Sequence, residues 1–216
     1  MNTRWCANCV MPSTSAAPLT FNDQGICSGC LVHAKAESID WQRRREMLGE
    51  IFQDFKSDGS NYDCIIPVSG GKDSYFQTHL AVNEFGLKPL LVTYHGNNFL
   101  PEAEGNLARM RHAFDVDHVI FRPSVDMLKK MNRVGFMKTG DMNWHAHCGI
   151  YTYPVQMAVR FNVPLIVWGE HGFLNMGGMF SLFDLVEMTE KNRTEHGLRG
   201  YDWDDFVDEQ TAIRSI

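Results

Sequence analysis

The chain has 216 residues, of which 44% are hydrophobic and 21% are charged, and its formal net charge is -6. This length allows one α/β domain of ordinary size with a small appendage. No apolar run approaches the roughly 20 residues that a membrane span needs, and the N-terminus lacks the apolar stretch of an export signal. The acidic balance argues against an enzyme that acts on nucleic acid. We therefore expect a cytoplasmic protein whose partners include neither a membrane nor nucleic acid.

Four of the six cysteines form two matched pairs near the N-terminus, Cys6 with Cys9 and Cys27 with Cys30. Each C-x-x-C pair can direct two thiolates at one ion, and four thiolates suit tetrahedral Zn²⁺. A segment of about 35 residues lacks a core of its own, so the metal would supply its folding energy. Because four thiolates leave no open position, the pattern favours a structural zinc ion, with an iron–sulfur cluster as the alternative.

The chain beyond the cysteine pairs alternates between helix and strand patterns. Residues 1–35 show little periodicity, whereas apolar residues recur at helical spacing over residues 40–55. Short apolar runs predict strands at residues 64–68, 89–94, 118–121 and 164–168. Helices are predicted at residues 73–84, 101–114, 124–137 and 150–161, the last with Pro154 in its first turn. This alternation predicts an α/β domain with a doubly wound parallel sheet.

A glycine-rich segment, Ser69-Gly70-Gly71-Lys72-Asp73-Ser74, joins the first predicted strand to its helix, and we refer to it as the phosphate loop. Two glycines let the backbone approach an anion closely, and the amides of a helix N-terminus point at phosphates. Lys72 adds a cation, while Ser69 and Ser74 add hydroxyl groups. The spacing is not that of a Walker A motif, so it does not indicate a kinase or GTPase. An ordinary glycine-rich turn is the alternative.

The phosphate loop resembles the S-G-G-x-D-S loop of the PP-loop ATP pyrophosphatases, which include GMP synthetase, asparagine synthetase and tRNA-thiolating enzymes. Members of that superfamily cleave ATP to AMP and pyrophosphate through an adenylated substrate. The resemblance implies that all six loop residues bind ATP and that Lys72 and Asp73 are catalytic. It also implies that Asp73 acts through Mg²⁺ or orients the loop, because a carboxylate and a polyphosphate repel each other.

Further ATP-binding residues are predicted at the carboxyl ends of strands, where open α/β sheets bind their ligands. Thr93 lies near the end of the second strand and is expected near the adenine, together with His95, for which a surface-loop position is an equal alternative. Gly169 and Glu170 end the fourth strand and should face the same crevice. For Glu170 a structural role is as strong an interpretation as a catalytic one.

Several segments together resemble the N-acetyl sugar amidotransferases of bacterial surface polysaccharide and lipopolysaccharide biosynthesis. They are residues 6–14, 21–30, 62–74, 149–154 and 167–170. The resemblance implies an ATP-dependent enzyme that adenylates the acetamido oxygen of a nucleotide-linked N-acetyl sugar and replaces it with ammonia. The product would carry an acetamidino group, and the cofactors would be ATP, Mg²⁺ and structural Zn²⁺. Ammonia would come from a separate glutaminase subunit, since no glutaminase triad can be assigned in this chain.

The expected organisation is a four-cysteine, zinc-ribbon-like module at residues 1–38, a helical linker at residues 39–61 and a PP-loop ATP pyrophosphatase domain at residues 62–216. Members of the family are longer, so either a C-terminal sugar-binding portion is absent or the chain is a short variant. Residues 176–179 offer glycine hinges for closure over a substrate, with a surface loop as the alternative. Residues 187–216 are expected to form a helix-rich face.

Two cysteines lie outside the N-terminal pairs. Cys64 falls inside the first predicted strand and is expected to be a core residue. Cys148, with His145 and His147, offers metal ligands or a thiol nucleophile, although packing or substrate contact is the favoured interpretation. Cys148 keeps a tRNA-thiolating enzyme open as an alternative function. A non-catalytic zinc-ribbon docking subunit for a glutaminase is the other alternative.

Overall fold

The computed structural model describes residues 3–15, 19–169, 198 and 200–206. These residues fall into two compact units, one within the first 50 residues and one that begins at Ile51 and includes residues 198 and 200–206. Within the described part of the chain, no helix is long and apolar enough to cross a membrane. The predicted residues Glu170, 176–179 and most of 187–216 lie outside the described residues.

Short turns, two bridges, one helix and the start of a second helix make up the described part of the first unit. Antiparallel bridges join Trp5 to Pro12 and Phe21 to Cys27. Helix α1 (Ser28–Ala36) starts directly after Cys27, and helix α2 (Trp41–Phe55) begins in this unit. Residues 28–36 form α1 although the sequence shows little helical periodicity there. Its apolar residues do not form the stripe that marks a helix packed on a core, so periodicity could not reveal it.

A parallel sheet organises the second unit. It contains β1 (Cys64–Pro67), β2 (Pro89–Tyr94) and β3 (His118–Phe121), in that order. β1 and β2 pair in parallel, as do β2 and β3. The α/β fold with a parallel sheet that the sequence predicts is therefore confirmed. Because the strands are parallel, their carboxyl ends, and the residues that follow them, lie at the same edge of the sheet.

The fourth predicted strand adds one bridge to this sheet and does not form a full strand. Ile166 pairs in parallel with Ile65 of β1. The Ile65 N–H donates to the Leu165 carbonyl, and the Val167 N–H donates to the Ile65 carbonyl. The Val167 carbonyl accepts from the Gln77 side chain. This side-chain partner takes the place of a further backbone hydrogen bond.

The helices of the second unit follow the strands. They are α3 (Lys72–His79), which continues as a π-helical turn at Leu80–Glu84, α4 (Pro101–Phe114), α5 (Val125–Thr139) and α6 (Trp144–Phe161), and a short 3₁₀ turn follows at Trp203–Phe206. Proline stands at the start of α4, where its missing N–H costs nothing. The Ser124 hydroxyl caps α5 by accepting from the Met127 N–H.

Helix α6 begins earlier than the sequence predicts, at Trp144 rather than at residue 150. Pro154 consequently lies inside the helix and not in its first turn, which corrects the prediction. The added turns are held by distant contacts, since the Trp144 ring stacks on Phe206 and its Nε1–H donates to the Leu198 carbonyl. No local pattern in residues 144–149 carries that information.

One apolar cluster of the second unit lies between the sheet and α6. Its buried members are Ile65, Leu90, Val92, Tyr153, Met157, Ala158 and Val163. Cys64 in β1 is fully buried, as expected of a core residue, and burial followed by the charge of Asp63 raises the pKa of its thiol to about 12. The sheet is thus anchored on one side by α6, which leaves its carboxyl edge to the loops that follow β1, β2 and β3.

Candidate functional site

The four N-terminal cysteines converge on one point of the first unit. The Sγ atoms of Cys6, Cys9, Cys27 and Cys30 all lie within 4.8 Å of one another. Two of the separations are 4.0 Å, between Cys6 and Cys30, and 3.8 Å, between Cys9 and Cys27. Zinc–sulfur bonds of about 2.3 Å in a tetrahedron place sulfur atoms about 3.8 Å apart. The donor set and its spacing therefore fit a structural zinc ion.

Backbone N–H groups surround the thiol of Cys6. The N–H of Cys27 lies 3.2 Å from its Sγ, and the N–H of Asn8 lies 3.4 Å from it. Burial would raise the pKa of Cys6, but hydrogen bonds from the backbone of Asn8, Cys27 and Cys9 outweigh it and lower the pKa to about 6. At Cys9 the Met11 N–H lowers the pKa, but burial and the neighbouring cysteines outweigh it and raise the pKa to about 12. Four thiolates at this spacing would therefore require a cation between them.

In the second unit, the phosphate loop runs from the carboxyl end of β1 into the first turn of α3. The helix starts at Lys72, and the residue before it, Gly71, has no side chain that could cap the first turn. The first backbone N–H groups of a helix have no partner inside the helix. A helix start of this kind attracts anions, through both these groups and the helix dipole.

Gly70 allows the phosphate loop to approach α4 closely. Its φ is +78°, a conformation that side chains other than glycine's disfavour. A Cβ atom at this position would lie 2.6 Å from the Ala103 carbonyl oxygen and 3.2 Å from Leu107. Any larger residue would be strained in the backbone and would also collide with α4.

Three carbonyl oxygens of this segment are turned into the protein. The Val68 carbonyl accepts from the Thr93 hydroxyl at 2.6 Å, and the Gly70 carbonyl accepts from Asn106 Nδ2 at 2.8 Å. The Gly71 carbonyl accepts from the Ser74 hydroxyl at 3.0 Å and from the backbone of α3. In a trans peptide the C=O and N–H groups point in opposite directions. The N–H of Gly71 therefore points away from Asn106, and the N–H of Lys72 points away from the body of α3, the arrangement that an anion site uses.

Thr93, predicted to bind ATP, supports the phosphate loop in this structure. Its hydroxyl hydrogen is engaged with the Val68 carbonyl, so His118 Nε2, at 2.9 Å, donates to its oxygen. Burial, and then the charge of Arg111, lowers the pKa of His118 to about 4, which keeps the imidazole neutral at physiological pH. A contact between Thr93 and ATP remains a prediction.

The side chains of Lys72 and Asp73 reach into solvent beside the phosphate loop. Their ion pair measures 2.6 Å, and they are 88% and 58% exposed, so both are accessible to a ligand. Ser74 is buried, and its Oγ lies 3.4 Å from the N–H of Ser69. The structure therefore separates two exposed, charged candidates from a buried serine that shapes the loop.

A network of one buried histidine and two partly exposed charged side chains follows β2 at the same edge of the sheet. His95 is only 2% exposed, so the surface-loop alternative for this residue is wrong. Its Nδ1 accepts from the Asn97 N–H, and its Nε2 therefore donates to Glu104 at 2.8 Å. Arg122 reaches both carboxylate oxygens of Glu104. The guanidinium of Arg122 and, to a lesser degree, His95 outweigh desolvation and lower the pKa of Glu104.

Gly169 lies at the end of the segment that pairs with β1. It packs against the side-chain amide of Gln77, a buried residue of α3. The amide nitrogen of Gln77 donates to the Val167 carbonyl. Gln77 of α3 therefore links the helix to the segment that ends at Gly169. Glu170 lies outside the described residues.

The first turns of α6 hold the remaining candidates. His145 Nδ1 lies 3.4 Å from the Tyr94 hydroxyl, and Asn132, with its amide nitrogen facing the ring, donates to His145 Nε2 at 2.6 Å. Burial, and then His147, lowers the pKa of His145. Cys148 packs against an apolar cluster around Trp144. Among the described residues, donor atoms of these side chains do not converge as those of the four cysteines do.

Sequence reasoning missed four residues that hold the site together. They are Gln77, Asn106, Arg109 and His118. Each acts through a hydrogen bond to a residue of a different element or to a neighbouring side chain, and none stands in a recognisable motif. Polar residues inside helices and strands are common, so no sequence signal would have distinguished them.

No protein-family model matches the chain. An uncharacterized protein of Methanocaldococcus jannaschii is 30% identical over 115 residues, which are 53% of this chain. The chain spans only 41% of the length of that curated relative.

Two solved structures are similar at low sequence identity. The NH3-dependent NAD synthetase from Campylobacter jejuni subsp. jejuni, in complex with the nitrate ion, is 12% identical, with a TM-score of 0.48 over 67% of this chain and 63% of that chain. The NMN synthetase from Francisella tularensis is 15% identical, with a TM-score of 0.41 over 54% of this chain and 51% of that chain. The chemistry of this chain rests on its own residues, because such similarity is too low to transfer a function.

Proposed function

We propose that the chain is an ATP-dependent enzyme of the PP-loop ATP pyrophosphatase type that adenylates an oxygen of its substrate. The observation that carries this proposal is the phosphate loop, where an uncapped helix start follows a Gly-Gly turn. The carbonyls of Gly70 and Gly71 are tied inward. Lys72 and Asp73 stand exposed beside it, with the charge and the Mg²⁺ ligand that a polyphosphate needs.

The proposed substrate is a nucleotide-linked N-acetyl sugar, on the strength of the resemblance to the N-acetyl sugar amidotransferases. The acetamido oxygen attacks the α-phosphorus of ATP, an oxygen–phosphorus bond forms, and pyrophosphate leaves. Ammonia then attacks the acetamido carbon, and AMP departs with that oxygen. One proton is released, and the sugar is left with an acetamidino group. An amide oxygen is a poor leaving group, and adenylation is what makes its displacement feasible.

The residues of the chain have distinct parts in this reaction. The Gly71 and Lys72 N–H groups and the Lys72 ammonium would hold the phosphates and the charge that develops on pyrophosphate as it leaves. Asp73 would hold Mg²⁺, which supplies charge neutralisation when bound. The four cysteines would hold Zn²⁺ in a closed, structural site, and a separate glutaminase subunit would deliver ammonia.

The test is product analysis with a panel of UDP-linked N-acetyl sugars whose acetamido oxygen is ¹⁸O. The chain is incubated with ATP, Mg²⁺, ammonium and each sugar. The expected result is AMP and pyrophosphate with one sugar only, with ¹⁸O found in the AMP phosphate and NH in the sugar. Absence of ATP cleavage with every sugar, even with the glutaminase added, would contradict the sugar proposal. AMP formation with a tRNA substrate would then indicate thiolation.

Two variants test the assignment of the phosphate loop. Lys72→Ala and Asp73→Asn each remove one charge from an exposed side chain, so they should lower AMP formation by at least about 100-fold without loss of metal from the cysteines. Lys129→Ala and Asp126→Asn are matched controls, because both residues are exposed on α5 and Asp126 also stands in the first turn of its helix. Wild-type AMP formation in both loop variants would contradict the assignment of the phosphate loop to ATP binding.

A further inference from the structure

Asn106 of α4 connects the phosphate loop to a helix that is remote in sequence. Its Nδ2 donates to the Gly70 carbonyl at 2.8 Å, across 36 positions of the chain. Gly70 is buried and lies so close to α4 that a Cβ would meet the Ala103 carbonyl. The side chain of Asn106 is therefore the hydrogen-bond donor of α4 that faces the loop carbonyl at this contact.

Arg109 determines which way the Asn106 amide faces. Its guanidinium donates to Asn106 Oδ1 at 2.5 Å, and a guanidinium can only donate. The amide oxygen must therefore face Arg109, which leaves the amide nitrogen facing Gly70. A Cβ at Gly105 would lie 3.1 Å from the Arg109 guanidinium, a contact that the flexible arginine side chain could relieve by a small shift.

The direction of the Gly70 carbonyl decides the direction of the next N–H. The two groups belong to one trans peptide and point oppositely, so a carbonyl held towards α4 leaves the Gly71 N–H facing away from it. If the Gly70–Gly71 peptide were flipped, its carbonyl oxygen would take the position of the N–H. A carbonyl oxygen repels phosphate. One peptide orientation thus separates an anion-binding loop from an anion-repelling one.

We propose that Asn106, oriented by Arg109, is a positioning residue that holds the Gly70–Gly71 peptide in the orientation that binds the phosphates of ATP. This rests on the proposed function. Asn106 acts through the backbone of the loop and contacts no phosphate itself. Its contribution belongs to ATP binding, and the stability of the fold does not depend on it to the same degree.

The test compares Asn106→Ala with Asn106→Asp. The carboxylate of Asn106→Asp has the size of the native amide and retains Arg109 as partner, but it has no donor for the Gly70 carbonyl. Asn83→Asp is the matched control, since Asn83 is exposed on the π-helical turn after α3 and undergoes the same chemical change. Calorimetric titration with ATP and Mg²⁺ gives the affinity, and thermal unfolding gives the stability. The resonance of the Gly71 amide in ¹⁵N-glycine-labelled protein, recorded with and without ATP, reports whether this N–H contacts the ligand.

We expect both Asn106 variants to bind ATP at least about tenfold more weakly, which corresponds to the loss of one hydrogen bond that orders the site. Asn106→Asp should unfold close to the wild-type temperature, and the shift of the Gly71 amide on addition of ATP should disappear in both variants. Asn83→Asp should retain both the affinity and the shift. Wild-type affinity in Asn106→Ala and Asn106→Asp overturns the inference alone, whereas a wild-type chain that binds no ATP overturns the proposed function with it.

Discussion

The four-cysteine cluster and the phosphate loop are held in different ways. In the cluster, the functional atoms are side-chain sulfurs that lie 3.8 and 4.0 Å apart, and both turns that carry them belong to the first unit. In the phosphate loop, the groups that we propose to bind ATP are backbone N–H groups, and the direction of the Gly71 N–H depends on Asn106 of α4. We therefore expect a metal to hold the cluster, whereas other elements of the second unit hold the loop.

The difference predicts how each region fails. A closed set of four sulfurs loses its function when one ligand is removed, because metal binding and folding of such a module are the same event. An open site built on backbone groups loses function by degrees, through each side chain that orients a peptide. Variants in one region should therefore leave the other region intact.

The largest expected effect is the loss of the metal. Cys27→Ser should lower the affinity for Zn²⁺ by at least about 1,000-fold, because one of four thiolates is lost from a site with no other ligand. Metal content after competition with a chelator measures this, with Cys148→Ser as the control for the same change outside the cluster. ATP affinity should stay within about twofold of wild type. A parallel loss of ATP binding would show that the two regions depend on each other.

The next largest effect concerns Gly70. Gly70→Ala should lower AMP formation by about 100-fold, because a Cβ is disfavoured at this φ and would also meet the Ala103 carbonyl. Gly140→Ala separates the two causes, since Gly140 has φ of +71° but nothing within 4 Å of its Cβ position. We expect Gly140→Ala to be mildly destabilised and fully active. Equal losses of activity in the two variants would show that close packing on α4 is not what matters.

The smallest effect is a pH dependence of stability through His118. Its pKa is about 4 in the folded chain and 6.5 as the ordinary value, so protons bind the unfolded chain more readily. The stabilisation is present above pH 6.5 and is lost as the pH falls towards 4, by about 2 kcal/mol for a partly exposed imidazole. In His118→Gln the amide still donates to Thr93 but does not titrate. Denaturant unfolding should therefore show a free energy of unfolding that changes less with pH than in the wild type. His112→Gln, at an exposed position of α4, should follow the wild type.

The secondary structure could be predicted where its signal lies in residues adjacent in sequence. β2, β3 and α4 have the predicted bounds because apolar runs and a proline at a helix start are local signals. α1 and the start of α6 were missed because each is stabilised from elsewhere. The cysteine turns hold α1, while Leu198 and Phe206 cover Trp144.

The candidate site divides in the same manner. Lys72 and Asp73 were recognisable from their motif, and the structure places both in solvent beside the helix start. His95 was ambiguous, because a polar residue after a strand is exposed unless a partner such as Glu104 buries it. That partner stands nine positions later on another element, and no pattern of spacing predicts such a pairing.

The sequence by itself determined which atoms this protein can offer. The C-x-x-C pairs specify four sulfurs, and the order Ser-Gly-Gly-Lys-Asp-Ser specifies a backbone that can approach an anion, because both properties are local. Only the tertiary structure decided which way the loop peptides face. Asn106 is 36 positions from Gly70, and Thr93 is 25 positions from Val68. Hydrogen bonds across such separations form only when α4 and β2 have packed beside the loop, so their geometry is a consequence of the fold.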